Sequence, residues 1–118
     1  MKKHLQLVAI LSLVCCSVLS AQEDSAITFH ESHEEKKRIA PFSDVVQAGN
    51  IYFLAGQIGM DHKTRTMVVS GIRTETEQAI KNIQEVLEHH GLTLNNVVKC
   101  TVILGTMEDF SEFNEVYS

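Results

Sequence analysis

Residues Ala48–Asp61, AGNIYFLAGQIGMD, decide how the rest of this 118-residue chain is read. Gly49-Asn50 is a turn signal, because both residues tolerate the positive φ of a tight two-residue hairpin connection. On one side of it Ile51 to Ala55 is a β-prone run; on the other, Ser43 to Ala48 is a second. The two read as paired strands. Gly56-Gln57 stops the run and Gly59 closes the segment. A glycine interrupting a strand marks a bulge, a close backbone approach or plain strand-end punctuation. Gly56 is therefore the first candidate for a place where a ligand meets the backbone.

Towards the C-terminus, Met60 to Thr66 reads as a polar connection and Met67-Val68-Val69 as a third short strand. From Arg73 to His90, apolar or small residues fall at Thr76, Ala79, Ile80, Ile83, Val86, Leu87 and His90. That is helical spacing with one stripe facing a core. Thr74 and Glu77 make a T-x-x-E capping box, and Gly91 is the left-handed cap at the far end. Glu75, Gln78, Lys81, Asn82, Glu85 and Glu88 are expected to face water. Val97 to Leu104 is a strand of strong β-formers, with Val98, Cys100, Val102 and Leu104 on the face expected to cover the helix. A second helix begins at Glu108, where Phe110, Phe113 and Tyr117 recur at i, i+3 and i+7 behind Thr106 as N-cap. No cap glycine precedes Ser118, so the sequence reads as C-terminally truncated.

Towards the N-terminus, Pro41, the single proline, fixes its own φ and pushes Ala40 towards extended geometry. Gln22 to Arg38 is a polar linker in which Ala26 to His30 is a candidate edge strand. Before it come Lys2-Lys3, an apolar run from Leu5 to Leu19, and Ser20-Ala21. This is the order of a secretory signal peptide, and the run is short for a membrane span of about 20 apolar residues. The expected layout is a signal peptide over 1–21, a linker or edge strand over 22–38 and one domain over 39–118. It implies a periplasmic or secreted protein without a membrane anchor once the signal is cut.

Composition supports one globular domain, with 44% hydrophobic and 21% charged residues. The net charge is −5; without Lys2 and Lys3, eight basic residues face 15 acidic ones and the net becomes −7. Such a chain is a poor nucleic-acid binder, which needs a basic patch. The one basic cluster, Lys36-Lys37-Arg38, follows Glu34-Glu35 and reads as a solvated face. Two of the three cysteines lie in the signal, so Cys100 has no intrachain partner in a mature chain and reads as inert packing. Stability must then come from the core or from an oligomer.

The common catalytic constellations are missing. His30 and His33 form H-x-x-H in the linker, without the three or four ligands of a zinc site, and read as exposed. His89-His90 suit the C-terminal end of a helix dipole, and Asp109 and Glu112 the N-terminal end of the next helix. Neither a phosphate-binding glycine loop nor a G-x-S-x-G elbow is present. Gly56 and Asn114, a polar residue between Phe113 and Val116, are what remains.

Several short pieces also occur in a telling order: Pro41-Phe42-Ser43, Ala48-Gly49-Asn50, Ala55-Gly56-Gln57-Ile58-Gly59, Val97-Val98-Lys99-Cys100-Thr101-Val102, and Asp109-Phe110 through Asn114 and Tyr117. Together they cover Ile39 to Ser118 and resemble the reactive-intermediate deaminase (RidA/YjgF) family. The resemblance implies a chorismate-mutase-like α+β fold, one sheet with two helices on one face, whose last two strands are missing from this chain. It implies homotrimers with a site in each cleft between subunits. The implied function is hydrolysis of 2-imino acids, such as 2-iminobutanoate and 2-iminopropanoate, to 2-keto acids and ammonia, without metal or organic cofactor. The residues carried over are Phe42 as cleft wall, where tyrosine is common, Ala55 where serine is common, Gly56 as the backbone contact, and Asn114 as a cleft amide. A carboxylate-clamping arginine and a glutamate are implied beyond Ser118, so no catalytic residue is assigned. The alternatives are a trimeric small-carboxylate-binding module without turnover, favoured by Phe42 and Ala55, and a ribonuclease, disfavoured by the acidic balance.

Overall fold

The hairpin forms where the turn signal lies. In the computed structural model, which describes residues 26–118, β2 (Val45–Ala48) and β3 (Ile51–Leu54) pair antiparallel with Ala48 opposite Ile51. Gly49 alone takes positive φ, 60°, while Asn50 does not. That is the II′ arrangement, which needs glycine only at the first central position. The edge strand also forms: β1 (Ile27–His30) pairs antiparallel with β2, with Phe29 opposite Val46. The expected signal peptide lies outside the described residues.

Alternation along the three strands sorts their side chains onto two faces. Thr28, His30, Val45, Gln47, Tyr52 and Leu54 share one, on which Val45 is fully buried. Ile27, Phe29, Val46, Ala48, Ile51 and Phe53 share the other. This second face is entirely apolar, and Ile27, Phe29, Ile51 and Phe53 are all exposed on it.

The connection expected over 60–66 is itself a small hairpin. Its strands are β4 (Met60–Asp61) and β5 (Thr66–Met67), and the third strand expected over 67–69 reduces to the end of β5. Asp61 makes the turn: its Oδ1 accepts from the backbone N–H groups of Lys63 and Thr64, both at 2.8 Å. These bonds hold the Asp61 carboxyl below its ordinary pKa.

Helix α1 runs from Ile72 to His89. It starts one residue earlier than its pattern suggests, with Gly71 as N-cap (φ 89°), so Thr74 and Glu77 fall inside the helix and the capping box does not form. The C-terminal reading holds. Gly91 takes φ 70°, and the N–H groups of His90, Gly91 and Leu92 return to the carbonyls of Leu87, Glu88 and Leu87. Thr76, Val86 and Leu87 of the expected stripe are buried, with Phe113 of α2 (Phe110–Tyr117) as a further core residue. Helix α2 packs on α1. Arg73 ties them, its Nη2 donating to Glu115 Oε2 at 2.6 Å. Thr106 Oγ1 accepts from Glu108 N–H at 3.3 Å and so caps the 3-10 turn Met107–Asp109 that leads into α2, while the N-cap of α2 itself is Asp109.

Two further expectations fail. Asn82 does not face water; it is completely buried. Val97–Leu104 is not a strand among the described residues: its backbone joins no ladder, Val98 is 95% exposed, Ile103 is 91% exposed, and Cys100 is exposed as well. Strong β-formers make a strand only when a neighbouring backbone supplies partners. Among the described residues no helix is long and apolar enough to cross a membrane.

Candidate functional site

The segment after β3 is set by its seat on α1. Asn82 Nδ2 donates to the carbonyls of Ile58 (3.0 Å) and Met60 (2.9 Å), and its Oδ1 accepts from Gln78 Nε2 at 2.8 Å. Between those carbonyls sits Gly59. A Cβ there would lie 2.7 Å from the Cα of Glu75, closer than carbon atoms approach. The glycine that needs close approach is therefore Gly59, against the chain's own helix. Gly56 has open space: a Cβ there would meet nothing within 4 Å. Ala55 before it is half-buried, and its N–H donates to Asp44 O at 2.8 Å.

Phe42 is 60% exposed on the loop before β2 and lines an open pocket of about 640 Å³. Phe29 and Val46, from the apolar sheet face, form part of the same wall; Ser32, Lys37 and Arg38 supply polar groups. Beneath them lies a buried polar cluster. The Ser32 hydroxyl donates to the Asp44 carboxylate, and Glu34 N–H donates to Ser32 Oγ at 3.1 Å. Lys37 Nζ lies 2.7 Å from Glu34 and 3.7 Å from Asp44. Lys37 is thus drawn inward rather than solvated, because two carboxylates await it. His62 Nδ1 approaches Glu34 Oε1 to 2.8 Å. Burial, then Lys37, lowers the His62 pKa, against the opposite pull of Glu34 and Glu85.

The histidines expected to be exposed in the linker are packed instead. His30 Nε2 is 3.1 Å from Gln47 Oε1, and its ring meets those of His90 (4.7 Å) and Tyr52 (6.0 Å). His33 stacks on His89 at 4.9 Å. Pairing of β1 with β2 carries the H-x-x-H segment onto the end of α1. His90 has its pKa lowered by burial and then by the neighbouring His30, His89 and His33. Among the described residues no group of three or more His, Cys, Asp or Glu side chains is arranged to hold a metal ion.

Of the four residues singled out from sequence, Phe42 alone lines this pocket. Asn114 is exposed on α2, where its carbonyl accepts from the Ser118 hydroxyl at 2.7 Å. Ala55, Gly56 and Asn114 do not line that pocket, and none of the four side chains carries an acid, a base or a cation. Sequence reading missed Asn82, Gly59 and Asp44. Asn82 had a signal, since it sits one helical turn before Val86 on the flank of the apolar stripe; Asp44, between Ser43 and Val45, had none.

Comparison with known proteins gives one consistent answer. The model of the family described as endoribonuclease L-PSP matches residues 33–118. A RutC family protein of Pyrococcus horikoshii is 46% identical over 82 residues, covering 70% of this chain and 65% of that protein. The 2-iminobutanoate/2-iminopropanoate deaminase of Mus musculus is 42% identical over 79 residues, covering 67% of this chain and 58% of that one. The crystal structure of RidA from an Antarctic Psychrobacter bacterium superposes with a TM-score of 0.63 at 34% identity, covering 67% of this chain and 63% of that chain. The chain thus spans less than two thirds of the length of these two curated relatives.

Proposed function

Because the chain belongs to the endoribonuclease L-PSP family, the RidA/YjgF family, we propose that its protein hydrolyses 2-imino acids to 2-keto acids and ammonia. The observation that carries this is the 42% identity to the mouse 2-iminobutanoate/2-iminopropanoate deaminase. The reaction balances with water alone: water adds to the imine carbon, the C–N bond breaks, and ammonia leaves with the proton. An imine is already electrophilic, so holding it against a water supplies much of what is needed, and orientation can contribute roughly 7–11 kcal/mol.

The apolar sheet face supports assembly as a homotrimer. Ile27, Phe29, Ile51 and Phe53 stand exposed side by side, which is unusual for a monomer. Copies of the chain meeting through this face would enclose the Phe42 pocket, whose wall includes Phe29 and Val46 of the same face. They would also bring Ala55, Gly56 and Asn114 to clefts that one subunit does not form. The order of residues 1–21 supports export to the periplasm or beyond.

One observation favours a second reading, a carboxylate-binding module without turnover: Phe42, Ala55, Gly56 and Asn114 offer no group that transfers a proton. Ribonuclease activity fits less well with a net charge of −5. The test uses an L-amino-acid oxidase to generate 2-iminopropanoate and semicarbazide to trap it. The deaminase reading expects less trapped adduct and faster ammonia release than in a control without the protein. Equal trapping overturns it and leaves the binding module.

A further inference from the structure

We propose that His30 and His90 form a latch that acid opens: neutral, the two rings hold strand β1 on the sheet, and when both are protonated β1 lifts away from β2. The strand is lightly held. It is four residues long, lies at the edge of its sheet and pairs with β2 alone. Ile27, Thr28 and Phe29 are exposed, and His30 alone of the four is half-buried. Its Nε2 lies 3.1 Å from Gln47 Oε1, and its ring meets that of His90 edge-on with centroids 4.7 Å apart. Two residues further on, Ser32 is buried and bonded to Asp44, which fixes the chain there. The movable piece is therefore residues 27–31.

The charge that opens the latch falls where no acid absorbs it. Gln47 Nε2 donates to the Gly49 carbonyl at 2.8 Å, so its oxygen faces His30 and His30 Nε2 carries the hydrogen. An added proton then goes to Nδ1. His90 is ringed by His30, by His89 at 5.4 Å and by Tyr52 at 5.8 Å, and His33 stacks on His89. Among the described residues none of these four histidines has a carboxylate within 4 Å, whereas His62 has Glu34 and Glu85. Two positive rings in contact at His30 and His90 therefore repel without a counter-ion. Glu34, Glu85 and Glu88, with His62 and Lys63, share an open groove with His33 and His89, so their pull falls on that pair. Glu31, next to His30, is exposed. The C-terminal end of α1 favours one positive charge at His90, not a second beside it. Burial, then His30, His89 and His33, lowers the His90 pKa from its ordinary 6.5. An open strand thus binds protons first: the closed latch is stable above 6.5 and loses that stability as pH falls. Phe29, His30 and Glu31 line the Phe42 pocket, so opening also strips the pocket of a wall.

The latch is independent of the deaminase reading, and its test reads conformation alone. Hydrogen–deuterium exchange of the full 118-residue chain is followed at pH 7.5 and 5.5, corrected for the intrinsic pH dependence of exchange. Each proton that the open strand binds and the closed one does not raises the opening constant by up to about tenfold per pH unit. The amides of β1 should therefore lose protection at least tenfold at pH 5.5, while those around Val86 and Leu87 in α1 keep theirs. His90→Phe keeps a ring that never charges and should hold β1 closed at pH 5.5. His30→Phe should do the same, and carries the test if the first variant does not melt cooperatively at pH 7.5. His62→Gln, outside the latch, should leave the opening as in wild type. Protection of β1 that does not change with pH overturns the proposal. So does loss of protection in β1 and α1 together, which is global unfolding, and so does a folded phenylalanine variant that opens in acid like the wild type.

Discussion

Replacing Gly59 by alanine adds one methyl group where the backbone passes close against helix α1. The new Cβ would sit 2.7 Å from Glu75 Cα, 2.8 Å from its Cβ and 2.9 Å from its Cγ. Ordinary carbon contacts lie at about 3.5–4.0 Å. Glu75 Cγ can rotate away, but Cα and Cβ are fixed by helix α1. The segment carrying Gly59 cannot retreat freely either, because Asn82 holds the carbonyls on both sides of it. Overpacking of this kind costs about 1–3 kcal/mol. In a domain this size 1 kcal/mol moves Tm by roughly 4–8 °C, so the expected fall is roughly 5–20 °C. Gly56→Ala is the matched control: its Cβ meets nothing within 4 Å and its φ is not positive. There, restricting the unfolded chain stabilises by about 0.4–1 kcal/mol at most. Melting the full chain and both variants by circular dichroism checks the contrast. If Gly59→Ala melts with wild type, or if both variants fall equally, the seat of residues 57–61 on α1 is wrong.

Asn82→Ala should cost about 2–4 kcal/mol in urea unfolding, since the carbonyls of Ile58 and Met60 lose their donor in a buried place; a midpoint unchanged from wild type would mean that water replaces the amide freely. Stability should fall as pH drops from 7.5 to 5.5. His62 and His90 both have folded pKa values below the ordinary 6.5, so the unfolded chain binds protons first, and the stability present above 6.5 is lost as pH falls towards the folded values. His90→Gln should flatten that slope, and an unaltered slope would remove His90 from the account. Phe53→Glu places a charge in the exposed apolar sheet face and should convert any oligomer to monomer in sedimentation, with little change in secondary structure; an unchanged oligomer would put the interface elsewhere.

Much of this structure is local and was readable as such. The β2–β3 hairpin follows from Gly49-Asn50 between β-prone runs, α1 from a stripe of 3.6-residue period, and its end from Gly91. Each depends on residues within a few positions of one another, where propensity and turn chemistry act directly. The ordered pieces from Pro41 to Tyr117 also pointed to the family whose model matches residues 33–118.

What escaped the sequence depends on distant partners. Asn82 looks like any polar residue flanking a helix stripe; it is buried because segment 57–61 needs a donor for its carbonyls. Gly56 and Gly59 are indistinguishable as letters, and only the passage of α1 beside Gly59 makes one of them sterically obligatory. His30 and His33 meet His89 and His90 across more than fifty residues because β1 pairs with β2, which no spacing along the chain reveals. Val97–Leu104 has the composition of a strand and the backbone of none among the described residues, since strand propensity needs a neighbour's hydrogen bonds to become a strand. Sequence determined the local conformations and the family. Tertiary packing decided which polar groups are buried and which glycine is crowded, because burial and pairing are set by segments that meet only in space.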